Sequence, residues 1–381
     1  MKRLALVVIS GIVAASAQAQ SSVVLYGLID AGLSYANNVA KGGSQGGLFQ
    51  TTSGQINGSR FGVRGTEDLG GGLHVIFVLE NGFNLQNGKL GQDNRFFGRQ
   101  AFVGLDAKRL GTVTVGRQYD FLTDFVEPLT GVATTFGDAS FAHPFDNDNL
   151  DHSIRMNNAI KYTSDDYFGL KLGGLYAFSN SPSFANNRAY SVGGTYTHGS
   201  FNAAAAYLQE NGSNSTTNAS GAIDSIETQS NGTAGFQLGA DVQRTVAAAL
   251  NYAFGSATVG FAYSHSQFQG TRSFGSNNGT LRFDNYELNA KYAFTHVLVF
   301  GLSYTYTDGH VTQSTSYGAD PKWNQVNLQA VYSLSKRTDV YMESMFQHAI
   351  GHGYVAFVNN SGGASSTSNQ VVVAIGMRAR F

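Results

Sequence analysis

Apolar and polar residues alternate in short segments along most of this chain. The last eleven residues show the pattern plainly, because Arg378 and Arg380 share one phase and every residue of the other phase is apolar. That apolar phase contains Val371, Val373, Ile375, Met377, Ala379 and Phe381. Successive side chains of a β-strand point to opposite faces, so such a segment predicts a strand with one apolar and one polar face.

About sixteen segments of roughly ten residues carry this alternation, with turn residues between them. In the twelfth segment, Tyr286 and Leu288 alternate with Asn285 and Glu287. The predicted strands lie near residues 23–36, 57–67, 73–84, 95–106, 112–119, 155–164, 169–179, 189–198, 201–210, 244–254, 257–268, 283–294, 297–307, 323–334, 338–348 and 371–381. Roughly ten residues is the length that a tilted strand needs to cross a lipid bilayer.

The connections between these segments alternate between short and long. Tight turns such as 199–200 and 255–256 are separated by longer stretches such as 37–56 and 211–243. Short turns at one end and long loops at the other are typical of outer-membrane barrels. The sequence therefore predicts an all-β fold, a transmembrane antiparallel β-barrel of about sixteen strands with short periplasmic turns and long extracellular loops. Its last strand is expected to close against the first, with Phe381 at the membrane interface.

Composition and charge narrow the class of protein further. The chain has no Cys, and no uncharged stretch of about 18 apolar residues follows residue 20, which excludes a helical membrane protein. Residues 1–19 have the pattern of a cleaved signal peptide, with Lys2 and Arg3 before an apolar stretch and Ala17 and Ala19 at the cleavage site. We expect residues 20–381 to form a single barrel domain. Without Lys2 and Arg3, 22 basic residues stand against 25 acidic ones, so the charge indicates no nucleic-acid partner.

One long connection, residues 120–154, differs in composition from the other loops. It contains five phenylalanines, which are Phe121, Phe125, Phe136, Phe141 and Phe145. Its acidic residues are Asp120, Asp124, Glu127, Asp138, Asp146, Asp148 and Asp151. So many phenylalanines are unusual in a loop exposed to water, and we expect the segment to fold inward against the barrel wall. A lid packed on the extracellular rim is the alternative that the sequence leaves open.

Several charged residues fall on the phase that faces the lumen of such a barrel. Their apolar neighbours face lipid, which turns the following residues inward: Arg60, Arg64, His74, Glu80, Arg155 and Lys161. Arg99 points inward if Gln100, Phe102 and Gly104 face lipid. The alternation of Val113 and Val115 turns Arg117 outward. An arginine facing lipid costs about 2–4 kcal/mol at the bilayer midplane, so inward placement is favoured. Inward arginines opposite an acidic loop would impose a transverse field on a narrow water path; scattered, solvated lumen charges are the alternative.

Other kinds of chemistry find less support in the sequence. No Ser and His pair stands out as nucleophile and base, and His348 and His352 would lie about 13 Å apart along a strand. Residues 146–151 are rich in oxygen ligands but lack the Gly and Glu positions of a calcium-binding loop. A metal site at Asp146, Asp148 and Asp151 is therefore the alternative to an ordinary acidic loop, which the pattern favours. With the single Trp323 at a strand end, no aromatic path for sugars is evident.

Motifs in a consistent order along the chain resemble those of Gram-negative general diffusion porins, of the Burkholderia, Bordetella and Neisseria type. The motifs are SVVLYGLIDAG at 22–32, GSRFGVRGTEDLGGG at 58–72, RQAFVGL at 99–105, GTVTVGRQ at 111–118, LSKRT at 334–338 and GMRARF at 376–381. The resemblance spans the whole of residues 20–381.

This resemblance implies a sixteen-stranded homotrimeric channel in the outer membrane of a Gram-negative bacterium, surrounded by lipids and lipopolysaccharide. It would pass ions and small hydrophilic solutes without a reaction or a cofactor, and its third long loop would fold into the lumen. The constriction arginines of the family fall on Arg60, Arg99 and Arg155. Further lumen charges are Arg64, Glu80 and Lys161, and candidate loop acids are Asp124, Glu127 and Asp138. The usual acidic loop motif is replaced here by TTFGD at 134–138, which leaves the sign of ion selectivity open.

Overall fold

The computed structural model describes residues 22–132, 139–212, 218–223 and 238–381, and strands dominate it. The strands are β1 (Ser22–Lys41), β2 (Ser44–Ser53), β3 (Arg60–Gly70), β4 (Leu73–Gly82), β5 (Gln100–Ala107), β6 (Gly111–Gln118), β7 (Met156–Thr163), β8 (Leu170–Ala177), β9 (Arg188–His198), β10 (Phe201–Asn211), β11 (Val242–Phe254), β12 (Ala257–Thr271), β13 (Gly279–Ala293), β14 (Leu298–Val311), β15 (Lys322–Ser333), β16 (Thr338–Ile350) and β17 (Asn369–Arg380). Short helical turns lie at Gly91–Asn94, Leu122–Val126, Glu127–Leu129, Pro144–Asp146 and Ser273–Gly275. Within the described ranges, no helix is long and apolar enough to span a membrane.

The strands form one antiparallel sheet that closes on itself. β17 pairs with β1 from Leu28↔Arg380 to Ala36↔Val372. Just beyond this ladder, Gly27 and Phe381 exchange two backbone hydrogen bonds of 3.0 Å, each N–H donating to the other residue's carbonyl oxygen. The predicted closure of the last strand against the first is therefore present, and closure removes the exposed sheet edges that would otherwise attract other strands.

Seventeen strands make a sixteen-stranded barrel because β2 and β3 occupy one position in the wall. β1 pairs with β2 through residues 31–41 and with β3 through residues 22–28. The interruption, residues 54–59, bends towards the lumen, and Ile56 and Asn57 donate their backbone N–H groups to Oδ2 of Asp30 at 3.1 and 3.0 Å.

The prediction of a long loop at residues 37–56 is wrong for most of that stretch. β1 continues to Lys41, a turn at Gly42 and Gly43 with positive φ reverses the chain, and β2 pairs back along β1. The sequence of β2 is mostly Gly, Ser, Gln and Thr and lacks apolar alternation. Backbone pairing to β1 holds this strand, and such pairing has no signature in side-chain periodicity.

The two faces of the barrel wall differ in the way that the alternation predicts. On β13, Tyr286 and Leu288 are exposed, whereas Asn285 and Glu287 are completely buried. On β17, the exposed residues include Ile375 and Met377. An apolar outer face and a polar inner face are the arrangement of a barrel in lipid.

Residues 119–155, which join β6 to β7, lie against the lumen side of the wall; we call them the inward segment, and all but residues 133–138 are described. Its first helical turn, Leu122–Val126, contacts β9, β10 and β11. Phe121 packs where two wall residues are glycines: a Cβ atom on Gly173 would lie 2.2 Å from the Phe121 ring, and one on Gly193 would lie 2.9 Å from the Phe121 Cβ. Phe125 and Phe141 are also buried, whereas Phe136 lies outside the described residues.

The second half of the inward segment is attached to β12, β13 and β15 by hydrogen bonds. The carbonyl oxygen of Ser140 accepts a bond of 3.1 Å from Nε2 of Gln325. Oδ1 of Asn147 accepts bonds of 2.6 Å from the Ser266 hydroxyl and 2.9 Å from Nδ2 of Asn285. Because all these side chains are buried, the bonds satisfy polar groups that would otherwise be costly to bury.

The glycine at position 173 provides a test of how Phe121 fixes the inward segment. Gly173→Val places a side chain where the Phe121 ring lies, and we expect it to lower the free energy of unfolding by about 1–3 kcal/mol. Urea unfolding of the protein refolded into vesicles, followed by the fluorescence of the single Trp, measures this change.

The matched control is Gly174→Val, in the same strand, because a Cβ atom at Gly174 meets no atom within 4 Å. Its stability should stay within about 0.5 kcal/mol of the wild-type value. Equal losses in the two variants would contradict the packing of Phe121 on Gly173.

Candidate functional site

The centre of the candidate site is an ion pair between Arg99 and Glu80 on the lumen side of the wall. Nε of Arg99 lies 2.8 Å from Oε1 of Glu80, and both side chains are buried. The Tyr26 hydroxyl donates to the other carboxylate oxygen of Glu80 at 3.0 Å. Nη2 of Arg99 donates to the hydroxyl of Tyr119, at the start of the inward segment, at 2.9 Å.

Tyr119 connects Arg99 to the second predicted arginine, Arg155. The guanidinium carbon of Arg155 lies 5.4 Å from the centre of the Tyr119 ring, which is a cation–π distance. Nη1 of Arg155 also donates to the carbonyl oxygen of Ser153 at 3.2 Å. The wall of the barrel and the inward segment therefore meet at two arginines and one tyrosine.

His152 lies among all three predicted arginines. Its Nε2 is 3.5 Å from Nη2 of Arg99, and its Nδ1 is 3.4 Å from Oε2 of Glu127. Burial first, and then the charges of Arg99, Arg155 and Arg60, hold the pKa of His152 well below its usual range. The imidazole is therefore neutral at neutral pH, and the three predicted arginines share one electrostatic environment.

Arg99 reaches the lumen by a route that differs from the predicted one. Val103 and Leu105 are the exposed residues of β5, so Gln100 and Phe102 do not occupy the lipid-facing phase. Arg99 immediately precedes β5, outside the ladder, and its side chain turns to Glu80. Strand phase does not control the direction of a side chain beyond the end of its strand.

Arg117 lies at a bulge between β6 and β7, where the register shifts between Gly116 and Gln118. Its side chain is buried, donating from Nε to the carbonyl oxygen of Gly98 at 2.8 Å and from Nη1 to Oδ1 of Asn157 at 2.7 Å. The bulge gives the arginine polar partners at a position where the alternation predicts contact with lipid.

Lys161 and Asp124, both among the predicted charges, form an ion pair with each other. Nζ of Lys161 also donates to the carbonyl oxygen of Tyr119 at 2.8 Å and lies 5.1 Å from the centre of the Phe121 ring. The pair joins β7 to the first turn of the inward segment, so Asp124 is neutralised locally.

The remaining predicted residues take different positions. Arg64 is exposed, and its guanidinium carbon lies 5.2 Å from the centre of the Tyr26 ring. Because the hydroxyl of Tyr26 donates to Glu80, Arg64 lies near Glu80 on the lumen side. Arg60 donates from Nε to the carbonyl oxygen of Gly58 at 2.8 Å. Asp138 lies outside the described residues.

Among the acids of residues 146–151, Asp146 binds the backbone of its own loop, whereas Asp148 also accepts a hydrogen bond from the Ser264 hydroxyl on β12. Asp146 accepts backbone N–H groups, from Asp151 at 2.9 Å and from Ser153 at 3.1 Å. In the part of the chain that the structure describes, no group of three His, Cys, Asp or Glu residues is arranged to hold a metal ion.

His143 forms a buried charged contact between the inward segment and β13. Its Nδ1 lies 2.6 Å from Oδ2 of Asp148, and its Nε2 lies 3.4 Å from Oε2 of Glu287. Oε1 of Glu287 accepts a further bond of 2.8 Å from the backbone N–H of Gly131. Burial alone would lower the pKa of His143, but the charges and hydrogen bonds of Asp148 and Glu287 raise it to about 10.

Tyr119, His143 and His152 were not singled out by the sequence patterns, which drew attention to the phenylalanines and acids of this stretch. Tyr119 directly follows β6, at the position where a strand end turns into the lumen. The two histidines lie on an irregular segment without periodicity, so their partners could be identified only from the folded arrangement.

The raised pKa of His143 predicts how stability depends on pH. Below pH 6.5 the imidazole is protonated in the folded and unfolded chains, and the contact contributes fully; the contribution decreases as pH rises and is lost above pH 10. The urea concentration at half-unfolding should therefore decrease as the pH rises from 6.5 to 10.

His143→Gln should make this decrease shallower. Burial, followed by the charge of Asp148, raises the pKa of Asp146 from 3.8 to about 7. The loss of stability that Asp146 causes with rising pH therefore occurs mainly between pH 3.8 and 7, below the range of His143, and the variant retains it. Identical slopes in the wild type and His143→Gln would contradict a charged His143.

The sequence matches the Gram-negative porin family over residues 5–349. It is 32% identical to an outer membrane porin protein of Bordetella pertussis, over 97% of this chain and 96% of the relative. It is 29% identical to outer membrane porin protein 32 of Delftia acidovorans, over 96% of each chain. The solved structure of an anion-selective porin from Comamonas acidovorans superposes with a TM-score of 0.73 and 22% identity, covering 95% of this chain and 100% of that chain.

These similarities extend over nearly the whole chain and agree with the closed sixteen-stranded barrel and its apolar outer face. They place the protein in the outer membrane of a Gram-negative bacterium, as a passive channel and not an enzyme. The chain belongs to the Gram-negative porin family.

Proposed function

We propose that this porin is a general diffusion channel for ions and small hydrophilic solutes, with a constriction that favours anions. Arg60, Arg99 and Arg155, the last residue of the inward segment, form its basic wall, and the rest of that segment narrows the water path beside them. The observation that carries the proposal is the position of His152, a residue of that segment whose Nε2 lies 3.5 Å from Nη2 of Arg99. Burial first, and then the charges of all three arginines, lower the pKa of His152.

The balance of fixed charge at this place is positive. Arg60, Arg99 and Arg155 contribute three positive charges, against the carboxylates of Glu80 and Glu127. Fixed positive charge beside a narrow water path lowers the energy of a passing anion and raises that of a cation.

The other predicted lumen charges agree with this sign. Asp124 is paired with Lys161, so the acid adds little negative field of its own, and Arg64 is an exposed guanidinium near Glu80. The solved porin from Comamonas acidovorans, which has the same fold, is described as anion-selective.

The proposal also covers the assembly. An outer membrane protein of Vibrio cholerae that has a similar fold has been solved in a trimer form. We propose that this chain loses residues 1–19 as a signal peptide, that residues 20–381 fold as one barrel domain, and that three copies assemble among outer-membrane lipids and lipopolysaccharide. The apolar outer face offers the surface for both lipid and neighbouring subunits.

Neutralising the basic wall tests the selectivity. In a planar bilayer under a KCl gradient, we expect the reversal potential of the wild type to show anion preference, and that of an Arg60→Ala, Arg99→Ala, Arg155→Ala triple variant to shift towards cation preference. Removing the arginines leaves Glu80 and Glu127 as the nearest fixed charges, which reverses the local field.

The control is Arg337→Ala, because Arg337 is an exposed arginine in the short turn between β15 and β16. Its reversal potential should equal that of the wild type. A triple variant that is folded and conducting, but has an unchanged reversal potential, would overturn the assignment of the filter to these arginines.

The Lys161–Asp124 pair provides an independent test, in which the reversal potential should move in the direction opposite to that of the triple variant. Asp124→Asn removes the partner that neutralises Lys161, so we expect the reversal potential to move further towards anion preference. Asp166→Asn, in the short turn between β7 and β8, is the control, and it should have no effect. A shift of Asp124→Asn towards cation preference would contradict the proposed field.

A further inference from the structure

Two arginines lie on the outer, lipid-facing side of the wall, near its long-loop end; we call them the outer arginine pair. Arg244 of β11 has the strand phase of the exposed Val246, and Arg282 of β13 has the phase of the exposed Tyr286. Both arginines pair in register with the same residue, Gln267 of β12. Because neighbouring strands lie about 4.8 Å apart, the two Cα atoms are about 10 Å apart across β12.

Strand geometry gives the depth of the outer arginine pair in the membrane. A strand with a rise of about 3.4 Å per residue and a tilt of about 40° advances roughly 2.6 Å per residue along the membrane normal, so the apolar band of about 25 Å takes about ten residues. Phe254, exposed beside the short turn after β11, is ten residues from Arg244. Tyr292, exposed near the other end of β13, is ten residues from Arg282. The pair therefore lies at the outer edge of the apolar band, level with the headgroups of the outer leaflet.

Below the pair, the outer face changes from polar to apolar in the order that an amphiphilic lipid requires. Towards the middle of the membrane, the rings of Tyr263 and Tyr286 follow, with centres 5.2 Å apart. One row further, Phe261 and Leu288 pair in register, and both are exposed. Tyrosines gather at the level of lipid headgroups, and exposed apolar residues contact acyl chains. This face therefore offers one surface for a charged headgroup and the chains attached to it.

The positive charge of the pair is oriented by neutral groups. Nε of Arg244 donates to Oε1 of Gln209 at 3.2 Å, and Nη1 donates to Oε1 of Gln269 at 2.8 Å. The bond to Gln269, on β12, directs the guanidinium towards Arg282, whose side chain is exposed. Among the residues that the structure describes, no carboxylate forms an ion pair with either arginine. The amides fix a guanidinium without cancelling its charge.

Asp284, an acid of the same outer face, is directed towards other groups. Its Oδ1 accepts a hydrogen bond of 2.7 Å from the Tyr263 hydroxyl and lies 2.8 Å from Nδ1 of His265. Two guanidinium groups against this one carboxylate leave the surface around Gln267 positive. A positive surface at headgroup depth is complementary to an anionic lipid.

We propose that the outer arginine pair binds a phosphate group of lipopolysaccharide, the phosphorylated glycolipid of the outer leaflet. The phosphate oxygens accept N–H groups from both guanidinium groups, and the acyl chains run past the tyrosine rings along Phe261 and Leu288. Arginine suits this role because its planar fork of donors matches the geometry of phosphate. The inference rests on the proposed lipopolysaccharide surroundings and does not depend on the sign of ion selectivity.

The experiment counts bound lipid by native mass spectrometry of the protein refolded in a neutral detergent. The probes are bisphosphorylated lipid A, the same lipid with both phosphates removed, and inorganic phosphate. We expect lipid A to bind saturably, and the dephosphorylated lipid to bind at least about tenfold more weakly. Inorganic phosphate, which has no acyl chains, should not displace lipid A at equal concentration.

Two double variants with the same change in charge separate the site from the general charge of the protein. Each interfacial arginine is expected to contribute about fivefold, so Arg244→Gln with Arg282→Gln should weaken lipid A binding by about 25-fold. The single variant Arg282→Gln changes an exposed side chain and should lose about fivefold. The matched control, Lys336→Gln with Arg337→Gln, changes exposed residues in the short turn between β15 and β16, and binding should stay within about twofold of the wild type. Heat-modified migration on gels verifies that each barrel is folded.

Several results would overturn the proposal. Equal affinities for lipid A and its dephosphorylated form would exclude a phosphate site, and displacement by inorganic phosphate at equal concentration would exclude lipid as the occupant. Equal losses in the two double variants would reduce the effect to general charge. Loss of a trimer in the arginine double variant would assign the pair to a contact between subunits. If the wild type binds no lipid A, the proposed lipopolysaccharide surroundings are wrong as well; the count of bound lipid is in every case independent of the selectivity measurements.

Discussion

The structure depends on one constraint: a polar segment placed inside a barrel must find a partner for each group that it buries. The inward segment meets this constraint through the wall, where Asn147 binds Ser266 and Asn285, and His143 lies between Asp148 and Glu287. Unpaired, these groups would cost about 1–3 kcal/mol each. The inner wall is therefore polar for two reasons, contact with water and attachment of this segment.

The position of the basic cluster follows from that attachment. Tyr119 begins the inward segment and accepts a hydrogen bond from Arg99, while His152 near its other end lies between Arg99 and Glu127. Both ends of the segment thus meet the wall at the arginines, and its middle is held by β12, β13 and β15. A shift of the segment along the wall would change the field in the lumen as well as the width of the path.

Most of the barrel could be predicted from the sequence because a two-residue period has a direct physical cause. Residues such as Leu288 and Ile375 must face lipid, and most strands of the wall repeat this requirement. β2 carries no such signal, since its pairing to β1 is made by the backbone. Arg99 lies outside the ladder. Its side chain points inward as predicted, but the alternation of β5 is not the cause.

The candidate site could be predicted only in part. Motif resemblance pointed to Arg60, Arg99 and Arg155, and strand phase to Lys161. The partners on the inward segment could not be predicted, because an irregular segment has no period that relates Tyr119 or His152 to the wall. The same holds for the contact between the rings of Phe145 and Phe274: the two residues are 129 positions apart in the chain, and only the closed barrel brings them together.

The measurement that tests the attachment of the inward segment most directly is a cross-link at one of its hydrogen bonds. The chain has no Cys, so a double variant with Asn147→Cys and Ser266→Cys carries two thiols only, at side chains that are 2.6 Å apart in the native protein. We predict that the disulfide forms in the folded barrel under mild oxidation and leaves single-channel conductance unchanged, because it joins residues that are already in contact. A folded barrel in which the thiols stay free, or a conductance that changes when the disulfide forms, would contradict the account.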